Sequence, residues 1–550
     1  MNLIWFIPVC ILLGAALFIA LINRGQTNIG AAWFAAIIAA LFVWGWTISL
    51  YWRYDFRSGD ISPAIQLTDA SGPAESGSGI PVLQDTGLNF VLDRISYPYM
   101  LAVSALLVIL LLTAPSYMEP KTAPRLWFFY LLIEAIGYLT VSAHDVSFFI
   151  YGWVIFDGID LVTQYLQARP GMIRRNFLIA VGIRFLGTIL AAASIAYSSA
   201  VSDPSERIFI TPAAGGFLLV ACALRMGILP ISQPYSDVSV SRVGLGTMLR
   251  LVSVLTVMPV LSRTPLLVMS LNMNTLLSLA GALASLTGAV GWLLSENASA
   301  GNTYAALTVS SMAFVCALSG EQASLIVWGV SLILTCAPLS LYQIHNPIMN
   351  ILAGLLITAF SGLPYTPNAV GWVGLVRAPY SVKDLLFILV VMIFMGGGFN
   401  HILRAKGRKF SDLEPWMRSV YPLGFVSALG THVFISMICF DEPFNMGVIP
   451  ASVCSFVGAV ALAVFLNRLP ERLRTQNLVA WGREGVSFFW RVMEKVLDME
   501  WLLTAVRLTG RVIRVLIDRI SAVLENNGGL VWELLLLALL LAAAFSGEIP

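Results

Sequence analysis

Six ionisable side chains, Glu134, Asp157, Asp160, Arg184, Arg225 and Arg250, fall inside long apolar runs of this chain. Charges at membrane depth are costly, and where they persist they mark ion paths or networks of mutually neutralising groups. The set holds three acids and three arginines, so it is able to balance itself. The two residue types do different chemistry. A carboxylate takes up and releases protons, as a relay requires. Arginine stays protonated in proteins, so it holds carboxylates or steers charge without carrying protons itself. Arg225 raises a second question, because the stretch LRMGILPISQPYSD (224–237) follows it with Pro230 and Pro234. Proline removes an amide donor and interrupts the helical ladder. In a bilayer such a break is tolerated where it is buried in protein or lines a cavity. A packing kink is the plainer reading, and both stay open at this point.

The elements that must position these groups are membrane spans. Of the 550 residues, 58% are hydrophobic and 11% charged, more apolar surface than a water-soluble fold can bury. At about 20 residues per span the apolar runs make about 16 transmembrane helices, and only helices or closed barrels satisfy their backbone in lipid. The expectation is therefore an all-α polytopic membrane protein. Its parts are N-terminal spans with a hairpin-forming extramembrane loop (1–117), a core (118–403), two further spans (404–466), an amphipathic surface helix (467–526) and a last span (527–550). The first run, Met1 to Ile22, lacks a basic start and cleavage site and reads as a retained span. Basic loops at 169–175, 404–409 and 468–474 all follow odd-numbered spans, which predicts a cytoplasmic side for them and both chain ends outside, in the cytoplasmic (inner) membrane. The amphipathic stretch alternates a stripe of Arg491, Lys495, Arg507 and Arg511 with an apolar face, as in a helix lying on a membrane surface or clamping a neighbour.

Four stretches together resemble the antiporter-like membrane subunits of respiratory complex I and of multi-subunit cation/proton antiporters. The order Arg225, Met226-Gly227, Pro230, Asp237 is similar to that family's lysine, small pair, proline and Pro-Asp series. LDRIS (92–96) resembles its LDxLS start, AALTVSSMAF (305–314) its AYSTISQxGY span, and SGLPYTP (361–367), with Pro364 and Pro367, its GxPP turn. The resemblance implies two inverted five-helix repeats, spans 4–8 and 9–13, with broken helices in spans 7 and 12. It also implies a lateral helix before the last span, as in the family's distal large subunit, and a place beside other membrane subunits and lipid. The function it implies is proton or cation translocation coupled to quinone-linked electron transport.

The residues that would carry the family's proton route are changed here. Its span 5 glutamate falls at Val154, its span 7 lysine at Arg225, its span 8 histidine at Arg250, its span 10 lysine near Gly301 and its span 12 group near Trp372. These changes lead to the expectation of a pairing of Asp157 or Asp160 with Arg225, and of a dry second repeat whose charges, Lys383 and Asp384, stay at a span end. His144, His345, His401 and His432 read as solitary structural histidines. No nucleotide loop, flavin fingerprint, metal spacing or nucleophile triad is present, so no cofactor is expected in this chain, redox chemistry is left to partners, and nucleic acid is not an expected ligand. Three functions remain: a translocating subunit, a non-conducting paralogue that holds an assembly together, and a stand-alone carrier with an arginine-lined anion site at Arg225 and Arg250.

Overall fold

The computed structural model describes residues 6–22, 29–53, 81–83, 92–118, 122–143, 146–167, 175–201, 208–209, 212–229, 243–263, 271–296, 298–404, 408–439 and 446–468, with isolated positions 508, 511 and 515. The chain divides into two units, Met1–Arg474 and Thr475–Pro550, and the described helices and strands all belong to the first. The expected surface helix and final span lie almost wholly outside the described residues, as do Pro230, Pro234, Asp237 and His144.

The helices follow the apolar runs. In order they are α1 (Phe6–Ile22), α2 (Ile29–Arg53), α3 (Ser96–Thr113), α4 (Ala123–Ser142), α5 (Val146–Gln167), α6 (Arg175–Val201), α7 (Pro212–Met226), α8 (Val243–Leu255), α9 (Met258–Arg263), α10 (Leu271–Leu294), α11 (Ala298–Leu318), α12 (Gln322–Leu334), α13 (Cys336–Ser340), α14 (Pro347–Thr358), α15 (Val382–Arg404), α16 (Pro415–Cys439) and α17 (Ile449–Arg468). Among the described residues, twelve helices are long and apolar enough to cross a membrane, counting α8 with α9 and α12 with α13 as one each; α1, α7 and α14 are shorter apolar helices. Helices that are apolar all round belong inside a bundle, and α3, α11 and α12 are buried along nearly their whole length. α2, α10 and α17 instead present Phe34, Leu276 and Phe465 outward, as lipid-facing helices do.

Short strands tie loops together at the ends of the bundle. β1 (Pro81–Leu83) pairs antiparallel with β2 (Ile208–Phe209), joining the loop after α2 to the loop after α6. β3 (Ile344–His345) pairs in parallel with β4 (Arg408–Lys409), joining the loops before α14 and after α15.

Four interruptions shape the interior. α7 stops at Gly227, which adopts φ 77°, with Ile228 N–H bonded to Ala223 O and Gly227 N–H to Leu224 O, a Schellman turn that only a residue tolerant of positive φ makes cheaply. The turn expected at 361–367 is also present: α14 tightens into a 3-10 turn at Ala359–Ser361 and ends on left-handed Gly362, and Pro364 and Pro367 lie in the irregular stretch beyond it. Two further breaks were not anticipated from the sequence. Pro259 cannot donate to Leu255 O and Pro338 cannot donate to Leu334 O, which separates α8 from α9 and α12 from α13.

LDRIS supplies an anchor at one end of the bundle. Asp93 Oδ1 accepts from Ser96 N–H (2.6 Å) at the start of α3, and Asp93 Oδ2 accepts from Arg263 Nη2 (3.0 Å) at the end of α9. Arg263 Nη1 donates to O of Ala143 (2.5 Å), the residue that caps the end of α4, so one guanidinium fastens three helix ends. Burial pushes the Asp93 carboxyl up, but the Arg263 charge and the bonds from Ser96 and Arg263 outweigh it and hold it below the usual carboxylate range. A depressed carboxyl contributes stability above the unfolded-state value, about 3.9, and loses it as pH falls through the folded value. Asp93→Asn, which leaves Arg263 buried without its counter-charge, is expected to cost about 3–5 kcal/mol. In a thermal unfolding series in detergent, the wild type should lose stability below about pH 4 more steeply than the variant; parallel curves would remove the ion pair from the account.

Candidate functional site

Four of the six ionisable groups meet in one buried cluster. Asp157 lies midway along α5 with Asp160 one turn further on, a spacing that puts both on one helix face. Arg184 and Thr188 share a face of α6 in the same way, and Arg225 reaches in from the last turn of α7. Arg225 Nη1 donates to Asp157 Oδ2 (2.8 Å), and Nη2 donates to Asp157 Oδ1 (3.3 Å), the two-pronged geometry that suits a guanidinium to a carboxylate. Its remaining reach goes to Thr188 Oγ1 (2.7 Å), to Arg184 O (3.3 Å) and to Ser253 Oγ of α8 (3.5 Å). The guanidinium carbon stands 4.7 Å from the Trp153 ring centre, close enough for a cation–π contact.

Arg184 closes the cluster. Its Nη2 pairs with Asp160 Oδ2, and its Nη1 lies 3.6 Å from Asp157 Oδ1. Asp157 therefore sits between two arginines, and the four side chains carry two positive and two negative charges, all buried. The expected pairing with Arg225 falls to Asp157, while Asp160 pairs with Arg184.

The other two groups stand apart from the quartet. Arg250 Nη1 donates to Thr303 Oγ1 of α11 (3.2 Å). Glu134 is fully buried in α4, and neither carboxyl oxygen has a hydrogen-bond partner among the described residues. One turn along, Tyr138 shares a hydrogen bond with Thr47 of α2 (3.2 Å). The balance of three acids against three arginines thus resolves into a quartet of two and two.

The positions where the resemblance places proton-route groups have other occupants. Val154 points away from the interior and is 44% exposed, while its neighbour Trp153 is buried beside Arg225. Trp372 fills the break after α14: its indole donates to Phe360 O (2.9 Å), and a Cβ on Gly362 would meet its ring at 2.3 Å, so that turn closes only around glycine. Gly301 packs against Trp292 and Ser295. Lys383 and Asp384 serve the start of α15, where Asp384 Oδ2 accepts from Ser381 N–H and Oγ (2.6 Å each) and Lys383 donates to Ser319 Oγ (3.3 Å).

In the second half His432 is hydrogen-bonded, as expected of a buried histidine: its Nε2 lies 3.0 Å from Ser331 Oγ and its Nδ1 3.3 Å from Thr335 Oγ1, and Ser331 also bonds Asn368. His401 Nε2 meets Trp292 O (2.9 Å) and Ser295 Oγ (3.2 Å). The interior there, among the described residues, lacks a charge cluster, with Lys383 and Asp384 at the start of α15, but it holds a set of neutral polar groups that was not anticipated. The signal was present in Ser331 and Thr335, four apart on one helix face, but pairing them with His432 about a hundred residues away needed the fold.

No protein-family model matches the sequence, and no curated protein does. Solved structures do match. A chain of the Mrp complex from Dietzia sp. DQ12-45-1b is similar with a TM-score of 0.64 and 14% identity, over 99% of this chain and 63% of that one. A chain of the membrane-bound sulfane sulfur reductase, an archaeal respiratory membrane complex, is similar with a TM-score of 0.59 and 14% identity, over 98% and 99% respectively. A chain of respiratory complex I from Thermus thermophilus gives a TM-score of 0.48 at 17% identity, over 84% and 96%. The fold is therefore that of membrane chains found in the Mrp and sulfane sulfur reductase complexes, and this chain spans 63% of the length of the Mrp chain it matches.

Removing one member of a buried ion pair strands the other, at a cost of about 3–5 kcal/mol. Asp157→Asn and Arg225→Gln are each expected to fall in that range. Unfolding of both singles and the double variant in mixed micelles should give a coupling of about 1–3 kcal/mol; additive costs would show that the two do not act as a pair.

Proposed function

We propose that this chain is a membrane subunit of a multi-subunit assembly that translocates protons or other cations, coupled to quinone-linked electron transport. The observation that carries the reading is the fold shared with chains of the Mrp and sulfane sulfur reductase complexes, together with a net-neutral charge quartet buried at mid-span beside an interrupted helix. Further parts of the reading are about 16 spans, inverted repeats over spans 4–8 and 9–13, both chain ends outside the cytoplasmic membrane, and a lateral helix at 467–526 that holds neighbouring subunits.

The quartet assigns roles by chemistry. Arg184 and Arg225 keep their protons, so they fix and stabilise Asp157 and Asp160 as a charge lock. Proton exchange in the first half is left to carboxylates, with Glu134 the one that no arginine holds among the described residues. The non-conducting reading has support of its own: arginines occupy relay positions and Trp372 closes the span 12 break. A stand-alone anion carrier is disfavoured, because Asp157 already occupies the Arg225 donors such a site would offer, while Arg250 donates to Thr303 apart from that cluster.

Purification from native membranes in mild detergent, with mass spectrometry of what accompanies the chain, tests the reading. Other antiporter-like chains and redox subunits are expected to co-purify in stoichiometric amounts. A chain that emerges alone would overturn the assembly and favour the carrier.

A further inference from the structure

The second half of the bundle has no buried charge quartet among the described residues, yet it gathers an imidazole, two hydroxyls and a carboxamide at one point. His432 belongs to α16, a helix outside the two proposed repeats, and it is buried. Its two ring nitrogens face the hydroxyls of Ser331 (3.0 Å) on α12 and Thr335 (3.3 Å) at the break between α12 and α13. That break exists because Pro338 lacks the amide hydrogen that would reach Leu334. Asn368, from the irregular stretch after Gly362, accepts from Ser331 through Oδ1. Two interrupted elements and an outside helix therefore converge on one imidazole.

The hydrogen bonding permits two tautomers, and in one of them Ser331 gives up its bond to Val327 O or Asn368 to donate to the ring. A hydroxyl both donates and accepts, and a neutral imidazole donates from one nitrogen and accepts at the other. With Nε2 protonated, His432 donates to Ser331, whose own hydrogen goes to Val327 O (2.8 Å) or Asn368, and Thr335 donates to Nδ1. With Nδ1 protonated, both bonds reverse. Asn368 Nδ2 is buried and has no partner among the described residues, a donor beside Ser331 that suits the oxygen of a water molecule.

We propose that His432 is the proton-exchanging group of the second half, supplied from outside the repeats, with Ser331 and Thr335 as its neighbours on either side. This rests on the translocation reading above. In the step, a proton from water reaches one ring nitrogen by way of its hydroxyl neighbour, and the proton on the other nitrogen leaves through the other hydroxyl to a second water. One proton enters, one leaves and the tautomer inverts; a second transfer in the same direction follows once the ring has exchanged back to its first tautomer and the hydroxyls have rotated. His432 suits the step because a neutral imidazole accepts a proton at one nitrogen while it gives one up from the other. Three other titratable groups of this half are engaged elsewhere: Lys383 and Asp384 at the start of α15, and His401, which places Nε2 between Trp292 O and Ser295.

The test uses the assembly purified with this chain, reconstituted in liposomes with a pH-sensitive dye inside. His432→Gln, which keeps hydrogen-bonding capacity but cannot exchange a proton, is expected to lower proton flux at least about tenfold, a change of about 1.4 kcal/mol or more in the barrier. His432→Gly should regain flux on addition of imidazole, a rescue that a merely structural histidine would not show. Wild-type flux in His432→Gln would overturn the relay and leave the translocation reading standing. A wild-type assembly that moves no protons would overturn both. Should the variants not assemble, nitrogen-15 NMR of the labelled wild type decides: both tautomers of His432 in exchange support the relay, and one fixed tautomer overturns it.

Discussion

Two guanidinium groups that cannot give up their charge, Arg184 and Arg225, lie inside a bundle of bilayer-length helices, and much of the first half is arranged around that fact. Lysine at the same place would have the option of neutrality; arginine does not. Each guanidinium must therefore meet a carboxylate and spend its other donors on hydroxyls or carbonyls. Asp157, Asp160, Thr188, Ser253 and the Arg184 carbonyl meet most of those needs from α5, α6 and α8, with Arg225 Nε left without a partner among the described residues. The register of these helices cannot slide by a turn without separating a buried pair, so the same contacts that neutralise charge also fix how the helices pack.

The second half solves a different problem. Its interior is interrupted by Pro338 and by the turn at Gly362, and interruptions free backbone and side-chain polar groups where lipid offers them nothing. Protein supplies the partners: Trp372 and Trp328 donate to Phe360 O and Gly371 O, and Ser331, Thr335, Asn368 and His432 satisfy one another. The first half is thus held by charge and the second by neutral hydrogen bonds. Anchors such as Asp93–Arg263 and the strand pairs at the loop ends hold the frame in which both clusters sit.

Much of this was legible in the sequence. Apolar run lengths located the helices closely, because a span has to match a bilayer and hydrophobicity records that length. A pairing of Arg225 with Asp157 or Asp160 followed from charge cost, since a buried arginine needs a carboxylate and few were on offer, and only the fold assigned it to Asp157. The breaks at Pro259 and Pro338 were readable in principle, because proline at either site removes a ladder bond whatever surrounds it. What stayed hidden was contact between residues distant in the chain. Asp160 with Arg184, Arg250 with Thr303, and His432 with Ser331 depend on helix packing, and a neutral polar residue in an apolar run carries no cost large enough to announce its partner.

The central claim is that Arg225 holds Asp157 as part of a charge lock and carries no protons itself. It is tested most directly by Arg225→Lys in the reconstituted full-length chain, followed by dye-reported proton leak under an imposed potential. Lysine keeps the charge and loses the second prong, while gaining the ability to release a proton. The account predicts a leak above that of the wild type. A leak identical to the wild type, with the variant folded and stably inserted, would contradict it.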